Sequence, residues 1–286
     1  MTSTVFEDIK RRRFWRHFAI HTFSGVGFCA VFAGLFDVLF PDVVSDGGRP
    51  LAVLLLLLSS LYGLWRSWPR PIEQIYDAPN IKIGLVRGNL FEQRDHHLVI
   101  GMATTFDTEV PEVIARSSVQ AQFMREVYQE NRSALDADLA AALSEVPPTG
   151  KIEKKGKTAV YPIGTVAVLN DRYRRLFCVA YAEMNEKNEA RGSVGGVWQS
   201  LEQLWRSVAT HANGGTVAMP VIGGGQARLS QILPAQDSIR FTILSFMLAS
   251  RREKICDELK IVVQPKEFDR LDRLELQSFL KSLRVS

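Results

Sequence analysis

Residues 216–229 read TVAMPVIGGGQARL. A short run of aliphatics, suited to a buried strand, ends in three consecutive glycines, and an apolar segment with helical spacing follows at residues 235–253. Glycine offers no side chain to pack, so a run of three means that the bare backbone is needed there. Amides without side chains can approach an anion closely and form a concave nest for phosphate. No Lys-Ser/Thr follows the glycines, as a P-loop requires, and the third glycine of the dinucleotide fingerprint is missing from its spacing. The plain alternative is a flexible strand–helix turn.

Outward from this stretch the chain alternates. Residues 81–92 (IKIGLVRGNLFE) and 96–104 (HHLVIGMAT) read as strands, and residues 110–146 carry apolar positions at helical spacing over two helices. Residues 158–169 and 174–184 are β-rich and joined by a turn-prone NDRY. Residues 194–212 form an amphipathic helix ended by Asn-Gly-Gly. A strand at 258–264 and an amphipathic helix at 267–283 close the chain. Alternating helices and continuously apolar strands predict an α/β fold with a sheet covered on both faces. Ligands of such sheets bind outside the carboxyl ends of the strands, which is where the glycine run lies.

The amino-terminal quarter is different. Residues 18–40 and 51–68 are two apolar runs separated by PDVVSDGGRP, a turn-rich connector. About 20 helical residues cross a hydrocarbon core, so the reading is a two-helix transmembrane hairpin over residues 1–70. A cleaved signal peptide fits less well, because a second apolar run follows the first. Lys10, Arg11, Arg12, Arg13 and Arg16 precede the first run, while Arg66 and Arg70 follow the second. The positive-inside bias then puts both termini in the cytoplasm and predicts a multi-pass membrane protein. Gly25, Gly27, Ala30, Ala33 and Gly34 would permit close helix packing and a homo-oligomer. His21 and Asp37 lie near the ends of the first run, where an ionisable group costs little. Residues 71–80, proline-rich and without period, read as a linker to a cytosolic domain over 81–286.

Composition narrows the function. The chain has 286 residues, a net charge of +4 and 46% hydrophobic residues. Its basic excess sits beside an apolar run, which suits membrane lipid better than nucleic acid. Cys29, Cys178 and Cys256 are too scattered for a zinc site or a disulfide framework. His96 and His97 point to opposite faces of a strand and read as a solvated strand end rather than a metal site. Trp198 and Trp205 share a helical face and read as core. His211 reads as a cation at a helix end. Asp107 is suited either to a ligand pocket or to a helix N-cap. Asn185 is the best polar candidate in a loop that could close over a ligand. No catalytic Ser/His/Asp or Cys/His arrangement is visible.

The Pro-Val-Ile-Gly-Gly-Gly stretch, with GNL at 88–90 and HLVIGMAT at 97–104, resembles the macro domain, an ADP-ribose-binding α/β module. The resemblance implies a three-layer α/β/α fold with a mixed sheet, and it spans roughly residues 80–265. It implies ligand contacts from Asn89, Ala103, Thr104, Thr105, Ile222, Gly223, Gly224, Gly225, Gln226 and Ala227, to which Asp107 and Asn185 are added as candidates by their positions after strands. Three departures stand out. Asn89 replaces the usual Asp at the adenine amine, Thr104 replaces the Asn that orients the distal ribose and a water, and Ala227 replaces a covering aromatic. These keep a nucleotide pocket and weaken the case for hydrolysis. The resemblance therefore implies no catalytic residues, no metal and no cofactor. Its ligand would be an ADP-ribose derivative, with amino-acid conjugates among the candidates.

Two amino-terminal helices joined to such a domain look like the membrane-anchored effectors of Thoeris-type antiphage defence. That likeness implies a bacterial inner-membrane location and a TIR-domain partner that makes the signal from NAD, followed by abortive action on the membrane. The competing expectations are a membrane-tethered ADP-ribosyl hydrolase and a passive anchored adaptor.

Overall fold

The computed structural model describes residues 12–39, 41–67, 71–223 and 229–284. The chain divides into two compact units, Met1–Arg70 and Pro71–Ser286.

The first unit is a pair of helices, α1 (Arg12–Leu39) and α2 (Pro41–Ser67). Phe14–Leu35 is long and apolar enough to cross a membrane, a test that a signal sequence near the N-terminus also passes. The second run differs from expectation. Its apolar part, Ala52–Arg66, falls short of a span, and the connector at 41–50 is helical, not a turn. Proline opens that helix at Pro41, where its missing N–H would have no partner anyway. The two helices meet through small residues. Gly63 lies against Thr22, and a side-chain carbon at Gly25 would come 3.2 Å from Ser59 Cβ. Gly25 is thus occupied in the pair itself, whereas Gly27 and Gly34 face open space. Phe23, Phe28, Val31, Leu57 and Leu61 are exposed on the outside of the pair.

The second unit is built on one mixed sheet. Its strands are β1 (Ile72–Asp77), β2 (Asn80–Arg87), β3 (His97–Ala103), β6 (Val166–Asp171), β7 (Arg174–Met184), β9 (Thr216–Pro220) and β10 (Glu258–Val263), with β8 (Ala190–Arg191) hairpinned onto the end of β7. β4 (Gly150–Lys151) and β5 (Ala159–Val160) pair separately. The order across the sheet is β1-β2-β10-β9-β3-β7-β6. β2, β10, β9, β3 and β7 run parallel, while β1 and β6 are antiparallel at the two edges.

Two helical layers cover this sheet. α3 (Val119–Tyr128) and α4 (Arg132–Ala142) lie on one face, where Phe123, Leu135 and Leu139 pack with Leu98, Ile100, Met102 and Cys178. α5 (Val194–His211), α6 (Ala235–Ser250) and α8 (Arg273–Ser282) supply Leu201, Trp205, Phe246 and Leu280 to the other face, against Val99, Phe177 and Val179. Neighbours along β3 thus serve opposite cores, which is why the strand is apolar from Leu98 to Ala103. A one-turn helix, α7 (Pro265–Phe268), follows β10.

The reading of residues 71–80 as a linker is corrected. Ile72, Gln74 and Tyr76 point inward in period 2, and the Tyr76 hydroxyl donates to the Leu280 carbonyl at 2.6 Å. The flanking prolines mark the ends of an edge strand, not of a tether. Residues 110–118 are turn rather than helix. The first helix of that region begins only after Ser118, whose hydroxyl accepts from the Ala121 N–H.

His97 is structural rather than solvated. Its Nδ1 accepts the Arg175 N–H at 2.8 Å and its Nε2 lies 3.2 Å from the Ala212 carbonyl, a pattern that needs the neutral ring. Burial holds both His96 and His97 below the usual 6.5. The folded chain therefore binds fewer protons than the unfolded chain once the pH falls below that value. Stability should be complete above pH 6.5 and decline as the pH drops toward the lowered values. Urea midpoints should fall between pH 7 and about 5.5, and His97→Gln should flatten that decline.

Candidate functional site

The five parallel strands all end at one edge, and a cavity of about 850 Å³ runs along it. Neighbouring strands lie ~4.8 Å apart, so the four steps from β2 to β7 span roughly 19 Å. Each strand end contributes to the lining. Asn89, Leu90 and Glu92 follow β2; Val262 belongs to β10, and Gln264 and Glu267 follow it. Val221 and Ile222 follow β9 at the middle. Gly101, Met102 and Ala103 belong to β3, and Tyr181 and Met184 to β7. The start of α3 closes the far wall with Ser117, Ser118 and Gln122.

Of the residues expected at a ligand, Asn89, Ala103 and Ile222 line this cavity. The Asn89 side-chain oxygen accepts the Phe91 N–H at 3.1 Å, which fixes the amide at the start of the short 3-10 turn Leu90–Glu92. Ile222 is buried, and its carbonyl accepts from Ser238 Oγ at 2.6 Å, tying the strand end to α6. Gly223 sits next in the chain at φ +86°, and a side-chain carbon there would come 3.1 Å from Leu229. Only glycine fits that left-handed turn without strain. Gly224, Gly225, Gln226 and Ala227 lie outside the described residues.

Besides Gly223, which is not among the lining residues, four expected contacts do not reach the cavity. Thr104 turns into the protein, where its hydroxyl accepts the Met184 N–H at 3.2 Å and its backbone joins β7. Thr105 donates to Asp107. Asp107 is neither a pocket residue nor a helix cap. Its carboxylate is fully buried against the Lys154 ammonium at 2.7 and 2.9 Å and accepts the Lys157 N–H at 2.8 Å. These bonds pin the loop between β4 and β5. Asn185 caps the β7–β8 turn, accepting from the Lys187 and Glu189 N–H groups at 2.9 Å each. Its side chain is spent on its own hairpin, as Asn commonly is in such turns.

Sequence reading missed Glu92, Gln264, Glu267 and Tyr181. Gln264 and Glu267 lie some 175 residues after Asn89 and join it only because β10 pairs with β2. No local signal marks that. Among the described lining residues the carboxylates Glu92 and Glu267 occupy the β2–β10 end, and no lysine or arginine lines the cavity. Backbone N–H groups of a glycine turn such as the one entered after β9 are suited to an anionic centre of a ligand. No group of His, Cys, Asp and Glu suited to a metal occurs among the described residues.

The family described as "Thoeris protein ThsA, Macro domain" matches residues 83–264. The chain belongs to the Thoeris ThsA macro-domain family. Comparison with curated proteins gave no match. Among solved structures, a mutant of the Oceanobacillus iheyensis macrodomain is similar at 11% identity and a TM-score of 0.50, covering 75% of this chain and 95% of that one. The macrodomain of Trypanosoma brucei in complex with ADP-ribose is similar at 13% identity, with a TM-score of 0.45 and coverage of 75% and 74%. The macrodomain of Thermus aquaticus DarG is similar at 17% identity, with a TM-score of 0.41 and coverage of 63% and 97%. For the ThsA macro domain of this chain, the expected three-layer fold with a mixed sheet is what the structure has.

Proposed function

We propose that this ThsA-family chain is a membrane-anchored sensor that binds an ADP-ribose-type nucleotide in the crevice and transmits binding to the membrane. The observation that carries the reading is the crevice itself, running along the carboxyl edge of the sheet with the end of β9, which leads into the glycine turn, at its centre. The strand order suggests how such a ligand lies. The diphosphate sits after β9, with the adenine toward Asn89, Glu92 and Glu267 and the distal group toward β7. The adenine amine donates, so a carboxylate such as Glu92 or Glu267 suits it, and Asn89 in place of Asp offers it only an amide oxygen. Family membership supports an ADP-ribose derivative as the ligand, amino-acid conjugates included, and a TIR-domain protein as its source.

Binding without turnover is favoured by the positions of Thr104 and Asp107, both engaged in internal bonds away from the cavity. The apolar helix α1 and the exposed apolar side chains of α1 and α2 support insertion in lipid, with the basic residues 10–16 on the cytoplasmic side. Two helices cannot enclose a pore, so permeabilisation needs several copies. A ligand drives this only by binding the active arrangement more tightly than the resting one.

The test is the full chain in dye-loaded vesicles. ADP-ribose or an amino-acid conjugate should release dye and be recovered chemically unchanged. Conversion of the ligand would favour the hydrolase instead, and binding with no release in any vesicle would leave an anchored adaptor.

A further inference from the structure

β7 carries one residue too many for its neighbour. Met102 pairs with Ala180 and Ala103 with Ala182, so Tyr181 has no partner on β3. Bulges of this kind re-aim a side chain and are common beside active sites. Here the bulge lays the Tyr181 ring across Gly101. A side-chain carbon at Gly101 would come 2.5 Å from Tyr181 Cε1 and 3.0 Å from Cδ1. Glycine at that strand position is what makes room for the ring.

The ring is half-buried, packs against the α5–α6 core and lines the cavity. Among the described residues its hydroxyl has no hydrogen-bond partner, although a tyrosine held this way usually finds one. Burial pushes the phenol up to about 12, so it stays protonated and able to donate at neutral pH. Its surroundings are apolar: Ala103, Ile114, Ala182 and Met184 line the same end. The carboxylates Glu92 and Glu267 stand at the opposite end, beyond β2 and β10, four and three strands away.

We infer that Tyr181 is a specificity-determining residue for the ligand half beyond the diphosphate, its ring forming the floor and its hydroxyl donating to a ribose or substituent oxygen. This rests on the crevice reading above.

The test compares ADP-ribose with ADP, which lacks the distal ribose and carries an extra charge on its terminal phosphate, on the detergent-solubilised full chain. Tyr181→Phe should weaken ADP-ribose about tenfold, the worth of one hydrogen bond, and leave ADP within about twofold. Tyr181→Leu should weaken ADP-ribose further, with ADP again little changed. Tyr173→Phe, at a fully exposed position, serves as the control and should change neither. Equal affinities in wild type and both Tyr181 variants would overturn the proposal. So would equal losses for the two ligands, which would make Tyr181 a residue that only shapes the crevice. Failure of the wild type to bind either ligand would instead remove the nucleotide reading on which the proposal stands.

Discussion

Lys154→Met should destabilise the Pro71–Ser286 unit by about 3–5 kcal/mol, the usual cost of stranding one partner of a buried ion pair. Both charged side chains are wholly inaccessible, and the ammonium reaches both carboxylate oxygens of Asp107. Methionine keeps the length of the lysine stem, so the loss isolates the charge. Asp107 would retain the Lys157 N–H and the Thr105 hydroxyl, which is too little to hold an ion out of water. The double change Lys154→Met with Asp107→Leu should recover much of the loss, because an apolar pair of similar volume often replaces a buried ion pair without cost. Urea unfolding followed by tryptophan fluorescence measures both. A Lys154→Met midpoint equal to wild type would show that the pair is solvated in solution.

Gly224→Glu should abolish nucleotide binding, with a loss of at least about 100-fold, or ~2.7 kcal/mol. The residue follows Gly223, whose left-handed turn lies directly after the central strand. A carboxylate added beside a diphosphate meets like charge in a crevice where no lysine or arginine lines the described wall to offset it. The unfolding midpoint should stay near that of wild type if the added side chain meets the ligand rather than the core. Unaltered affinity would mean that the phosphate lies elsewhere.

Much of the domain was legible because its signals are local. Residues 174–184 and 194–211 announce a strand and a helix by composition, period and capping, and the structure places β7 and α5 there. β1 was hidden because prolines on either side imitate a linker, while its period-2 pattern rests on Ile72, Gln74 and Tyr76, one of them polar. The helical connector at 41–50 was hidden by glycines and a proline that usually mark turns.

The site was legible only where chemistry and backbone coincide. Asn89 and Ile222 flank strand ends and line the cavity. Thr104, Asp107 and Asn185 have the right residue types, but a side-chain oxygen is claimed by whichever donor lies nearest. For these three that donor is a backbone N–H or a lysine of their own fold. Tyr181 could not be found from period, because a bulge breaks the alternation at that residue. Glu267 needed the pairing of β10 with β2, a contact between distant parts of the chain.

Titration of ADP-ribose into the detergent-solubilised full chain, followed by calorimetry and recovery of the ligand, tests the central claim most directly. The account predicts saturable binding at one site per chain, competition by ADP, and ligand recovered unchanged. No heat and no displacement at any accessible concentration, for ADP-ribose and its amino-acid conjugates alike, would contradict it.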